Sequence, residues 1–278
     1  MNLIVDAFID DLFDLNSFVY CSIEGIGYGS RAVEFTDKMR ALGMKELRDE
    51  QTYQTRRRHF ENLETFAKKE ATGGHPYLFA LASVKLCSIL EAAVDHVLVQ
   101  LLKDPHIVAS STKLSRLKGP LVEFMGATEL DRMVYLREAL KQEMASDLKI
   151  GIGRFESILD ALGFSGTVAP SIRKALLELH EIRNVIVHNT GKVDKHFMAR
   201  CPWVTIGLGG TLQVSHTQYQ AYHTAALWYM IELDQRWGEK ITEKGRGKDA
   251  DDLLIKLETD VSAVAPYGQC EPESIVAS

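Results

Sequence analysis

The chain has 278 residues, of which 46% are hydrophobic and 25% charged, with a net charge of −6 and a pI near 5.9. This is ordinary globular usage, with enough apolar material for a sizeable core in one large domain or two small ones. The acidic balance excludes a strongly basic nucleic-acid footprint over the whole chain and leaves only local basic patches.

Four cysteines, Cys21, Cys87, Cys201 and Cys270, are scattered without a Cys-x-x-Cys pair. That spacing argues against a zinc ribbon or a thioredoxin-like site and suits a reducing compartment. Cys87 falls on an apolar helix face and reads as a small buried hydrophobe. The start of the chain lacks a basic region and is interrupted by Asp10, Asp11 and Asp14, unlike a signal peptide. No uninterrupted apolar run approaches the ~18–20 residues that span a bilayer. The expectation is a soluble, cytoplasmic protein with no membrane association.

Residues 3–20 carry Ile4, Val5, Phe8, Leu12, Leu15 and Val19 at helical spacing, with Asp6, Asp10 and Asp14 on an acidic stripe. Gly25, Gly27 and Gly29 then predict a flexible turn. No strand precedes them and no Gly-Lys-Ser/Thr follows, so they form neither a Walker loop nor a dinucleotide fingerprint. Two helices are predicted over 31–49 and 51–71. The second carries Arg56-Arg57-Arg58-His59, the densest basic run in the chain, which reads as a solvated face with a weak RNA-contact alternative. Thr72-Gly73-Gly74-His75-Pro76 marks a soft boundary between an N-terminal helical segment, 1–74, and a main domain, 75–240.

Residues 77–102 form the most convincing helix, apolar almost all round and therefore central. Glu91 interrupts it, and a carboxylate among leucines is costly unless it is paired or partly exposed. Asp104-Pro105 stops it. Residues 106–120 read as a loop or short helix. Helix is expected again over 128–147, with Thr128 and Asp131 as a weak capping box, and over 154–164. Pro170 then opens a helix whose buried face is Leu176, Leu179, Ile182 and Ile186, closed by Asn189-Thr190-Gly191. Residues 203–215 alternate around Gly209-Gly210 and predict a small β-hairpin. Thr217-x-x-Gln220 is expected to cap a helix over 218–237, rich in core aromatics. A short helix is predicted at 249–259 within a charged tail, 241–278, whose last ~18 residues have a disordered composition.

The informative stretch is Glu181-Ile182-Arg183-Asn184-Val185-Ile186-Val187-His188-Asn189. His180-Glu181 begins like a zincin motif, but the second zinc ligand is replaced by Asn184. Asp194 and His196 stand at no ordinary metal spacing from His188, so neither metal nor cofactor is expected. Asn184 and His188 are one turn apart and share a face. Arg183 and His188 diverge by ~140° around the helix, so one helix presents this pair poorly to a small target. A second copy packed across a two-fold axis would bring two Arg and two His to one cleft. Arg offers a fork matched to phosphate oxygens, and His moves protons near neutrality. A phosphodiester attacked by its own 2′-hydroxyl needs only these parts.

Arg183-Asn184, then three residues, then His188, with Glu181 before and Gly191 after, resembles the Arg-x(4–6)-His motif of the HEPN superfamily. The likeness is to the stand-alone bacterial group found near toxin and defence systems. Residues 77–102 resemble that family's first core helix, including the mid-helix Glu91. Residues 151–237 resemble its later helices, with the hairpin as an insertion. The resemblance implies an all-α bundle of about four core helices that dimerises with two motif helices face to face. It implies a metal-independent endoribonuclease without cofactor. Arg183 and His188 would be catalytic, Asn184 their polar companion, and Glu181 and Glu91 supporting residues. The implied partners are RNA, a second copy of the chain, and an antitoxin or defence-system protein. Some members are inactive binding modules, so a non-catalytic module that binds a nucleotide or partner protein is the alternative. A plain helical interaction protein, with Arg183 only salt-bridged and His188 only capping, is the third.

Overall fold

The computed structural model describes residues 4–119, 121–144, 150–242 and 244–264. Among these residues the chain is all-α, as expected, with twelve α-helices and a single isolated β-bridge. In chain order they are α1 (Asp6–Gly29), α2 (Ala32–Ala41), α3 (Glu50–Thr72), α4 (Pro76–Leu102), α5 (Pro105–Ser110), α6 (Leu121–Gly126), α7 (Glu129–Glu143), α8 (Ile152–Asp160), α9 (Pro170–Asn189), α10 (Lys195–Arg200), α11 (His216–Lys240) and α12 (Lys248–Ser262).

α4 is the centre of the bundle. α1, α9, α11 and α7 all pack against it, and α12 closes the far side against α11 and α9. α4 is long and apolar enough to cross a membrane by length and composition. Here its apolar surface is spent on neighbouring helices: Leu86, Leu90, Val94, Val97, Leu98 and Leu101 are all buried. Each such side chain contributes ~1.5–3 kcal/mol relative to an exposed one.

Leu12, Leu15 and Val19 of α1 belong to the same continuous core as α4 and α11. The turn at residues 73–75 therefore lies within one core, with His75 and Gly74 both at positive φ. α2 and α3 form a layer outside α1, joined by a one-turn 3-10 helix at Lys45–Leu47. The predicted helix over 31–49 thus stops early, at Ala41, and the chain turns at Gly43.

Three local expectations are corrected. Gly25, Gly27 and Gly29 do not break α1; they are its last turns. Ile23 and Ile26 continue the apolar face, and a Cβ on Gly29 would lie 3.3 Å from Ala67 Cβ of α3, so a small residue lets α1 and α3 approach. The hairpin over 203–215 does not form. Residues 209–212 bond instead to 191–193: Val193 N donates to Gly210 O at 3.0 Å, and Leu212 N to Gly191 O at 2.9 Å. Gly207 to Gly210 close a tight turn, and Leu212 and Val214 turn into the core. Finally, α11 is capped by a Ser215–Gln218 box, two residues before the expected one. The tail from 265 onward, Cys270 and Pro120 lie outside the described residues.

Candidate functional site

α9 is built as expected. Pro170 occupies its first turn, where a missing N–H costs nothing. Ile172, Leu176, Leu179, Ile182 and Val185 form the face buried against α4 and α11. At its end Thr190 turns left-handed, and Gly191 N donates to Val185 O at 3.0 Å, satisfying a terminal carbonyl. Gly191 itself has φ 77°, a conformation that favours glycine. Asn189 then donates to Asp194 Oδ2 at 2.6 Å, and Asp194 caps α10. The helix end is thus fastened, which fixes the backbone that carries His188.

In the C-terminal half of α9, two sets of polar side chains are distinguished. The first is consumed by the fold. Glu178 is buried and accepts from Trp203 Nε1 at 2.7 Å and Tyr222 OH at 2.6 Å. Glu181 is 1% exposed and accepts from Arg200 at 2.7 Å. Glu181 thus ties α9 to α10 through Arg200.

The second group is Arg183, Asn184 and His188. Arg183 Nη1 donates to Asn184 Oδ1 at 3.2 Å, and no carboxylate pairs with Arg183 among the described residues. His188 lies exposed in the last turn of α9 and makes no hydrogen bond among the described residues. Val187 beside it is 48% exposed, so this end of the helix presents an apolar side chain next to an exposed imidazole. No hydrogen bond joins Arg183 to His188 within one chain.

Glu91 is partly exposed, and its Oε1 stands 4.0 Å from His180 Nδ1. Cys87 Sγ lies 4.0 Å from the same nitrogen. Burial pushes the Cys87 thiol up to about 12, with Glu91 adding to the effect and Arg183 opposing it. Burial lowers the His180 imidazole, Glu181 and Glu91 oppose this, and Arg183 lowers it further. Arg183 is thus near enough for its charge to act on both groups.

The basic run is elsewhere. Arg56 and Arg58 are exposed on α3, and Arg57 pairs with Asp37 and Glu61. α3 packs on α1, α2 and α4, whereas α9 packs on α4, α11 and α12.

Comparison with known proteins adds no relative: the chain matches no family model, no curated protein and no solved structure.

Sequence reasoning missed two features near α9. One is the meeting of His180 with Cys87 and Glu91. Its only trace is Cys87 and Glu91 at i, i+4, one face of α4. The other is Glu178, which sits one turn before Ile182 on the buried face and so demanded polar partners from elsewhere. Those partners are distant in sequence: Trp203 reads as the start of a hairpin and Tyr222 as a core aromatic.

Proposed function

We propose that the protein is a metal-independent endoribonuclease of HEPN type, working at a site shared between two copies of the chain. The observation that carries this reading is the division of polar groups on α9. Glu178 and Glu181 are committed to the fold, whereas Arg183 and His188 are left without carboxylate or hydrogen-bond partners beyond Asn184. An unpaired guanidinium and an exposed imidazole on a rigid helix end match an anionic ligand that undergoes proton transfer.

In the proposed reaction the RNA 2′-oxygen attacks the adjacent phosphorus. The bond from phosphorus to the 5′-oxygen breaks, leaving a 2′,3′-cyclic phosphate. One His188 takes the 2′-hydroxyl proton, and the His188 of the second copy supplies a proton to the departing 5′-oxygen. Arg183 stabilises the charge that builds on the non-bridging oxygens. Asn184 holds the Arg183 guanidinium through the bond between them.

The test is incubation of the purified chain with RNA in the presence of a chelator. Cleavage should yield cyclic-phosphate ends and should be blocked by a 2′-deoxy nucleotide at the cut. His188→Ala should lose activity by roughly 10²–10⁴-fold, the usual worth of general acid–base catalysis. Equal cleavage by the two proteins would refute the proposal.

A further inference from the structure

We infer that Cys87, Glu91 and His180 form a binding site for one zinc ion, placed at the seam where α9 packs on α4. The inference does not depend on the nuclease reading. One potential ligand atom from each residue lies within 4.8 Å of the other two. Cys87 and Glu91 stand one turn apart on α4 and so share a face. His180 faces them from α9, with its neighbours Leu179 and Ile182 buried in the core.

The distances carry the argument. His180 Nδ1 is 4.0 Å from Cys87 Sγ and 4.0 Å from Glu91 Oε1. The contact to Glu91 is well beyond the ~2.7–3.2 Å of an N–H···O hydrogen bond. Cys87 and His180 are within weak hydrogen-bond reach of each other, and Glu91 stands just outside it. Around a tetrahedral zinc, with metal–ligand lengths of ~2.0–2.3 Å, these atoms would stand about 3.4–3.6 Å apart. For the two contacts of His180 this is a contraction of about half an ångström.

The donor set selects the metal class. A thiolate with an imidazole and one carboxylate suits zinc, whereas calcium and magnesium demand oxygen ligands. The ionised thiolate and carboxylate together balance the charge of a divalent ion. Glu91 is partly exposed, which leaves the fourth position open to water. Arg183 opposes the cation but favours the thiolate. With ligands on both helices, the ion would fasten the helix that carries Arg183 to the central helix of the bundle.

The experiment is zinc loading of the full chain, removal of excess by dialysis, and elemental analysis. One equivalent per chain is expected. Replacing the zinc with cobalt should give a thiolate-to-metal charge-transfer band that disappears in Cys87→Ser and persists in Cys201→Ser. Glu91→Gln, at a partly exposed position that tolerates change, should weaken binding by at least the ~10–100-fold typical of losing an outer-shell partner. Circular dichroism establishes that each variant is folded. No retained zinc, or retention unchanged in both Cys87→Ser and Glu91→Gln, overturns the inference. Because the readout is bound metal, its failure is distinct from failure to cleave RNA.

Discussion

Two kinds of charged residue are present in this chain, and they should respond oppositely to mutation. Arg236 is buried between two carboxylates: Nη1 donates to Glu156 at 2.9 Å, and Nε to Glu232 at 3.0 Å. Glu156 also accepts from Tyr229 OH at 2.6 Å and from the Gly166 amide at 2.9 Å. Burial, and then Glu156, push the Tyr229 phenol well above its ordinary value, which keeps it a donor. Arg236→Met would strand carboxylates in the core and should cost ~3–5 kcal/mol, read as a lowered urea midpoint. His188→Ala touches nothing in the fold and should change stability by less than ~0.5 kcal/mol while removing activity. A large stability loss in His188→Ala would mean that the residue is structural. A third behaviour belongs to His223, buried on α11 with Nε2 3.1 Å from Leu12 O. Burial lowers its affinity for protons, and the bond to Leu12 opposes this only in part. The unfolded chain therefore binds more protons just below the ordinary value of 6.5. Its contribution to stability is complete above that value and declines as pH falls through it. Thermal melts across this range should show the decline, and His223→Gln should flatten it.

At the scale of elements, what was legible followed from strong periodicity and capping. The apolar circumference of α4, the proline start and glycine stop of α9, and the Thr128–Asp131 cap of α7 were all readable, because each is decided by residues within a turn or two. What was not legible depended on distant partners. Gly25 and Gly27 were read as a turn because glycine costs a helix ~1 kcal/mol each. The helix survives there because Ile23 and Ile26 extend the face of α1, which packs on α3. Residues 203–215 alternate like a hairpin, yet their bonding partners are residues 191–193 across the chain reversal after α9. The same holds for the site. The types and spacing of Arg183, Asn184 and His188 could be read, but the company of Cys87 and Glu91 around His180 required the packing of α4 on α9. The glycine interpretation can be checked directly. A Cβ at Gly25 or Gly27 meets nothing within 4 Å, and neither has positive φ. Gly25→Ala and Gly27→Ala should therefore each stabilise the protein by about 0.5–1 kcal/mol, seen as a higher melting temperature. Were these residues a turn, the same changes would be neutral or harmful. Leu12→Ala in the same helix should instead cost ~2–5 kcal/mol, since Leu12 is fully buried in the common core.

At the scale of the whole molecule, the proposed site is complete only in a dimer. The helical divergence of ~140° between Arg183 and His188 makes a pairing of Arg from one copy with His from the other the natural arrangement. An isologous two-fold interface generates two such pairs. Val187, 48% exposed near His188, would offer an apolar contact to the second copy. This arrangement makes a prediction that a site within one chain does not share. His188→Ala homodimers should be inactive. Because one His188 acts as base and the other as acid, a heterodimer of wild-type and His188→Ala copies keeps only one of them and should be inactive too. After subunit exchange in an equal mixture, about a quarter of the dimers are wild-type, so activity should fall to about a quarter of that of wild-type at the same total concentration. A site within a single chain would instead keep about half. The two cases separate on sedimentation: a composite site requires a dimer at the concentrations where cleavage is seen. An active monomer would exclude it. The acidic charge of −6 adds a further constraint. On the proposed reading, RNA would approach a molecule that repels it on average, so cleavage should accelerate with moderate salt before screening of Arg183 dominates.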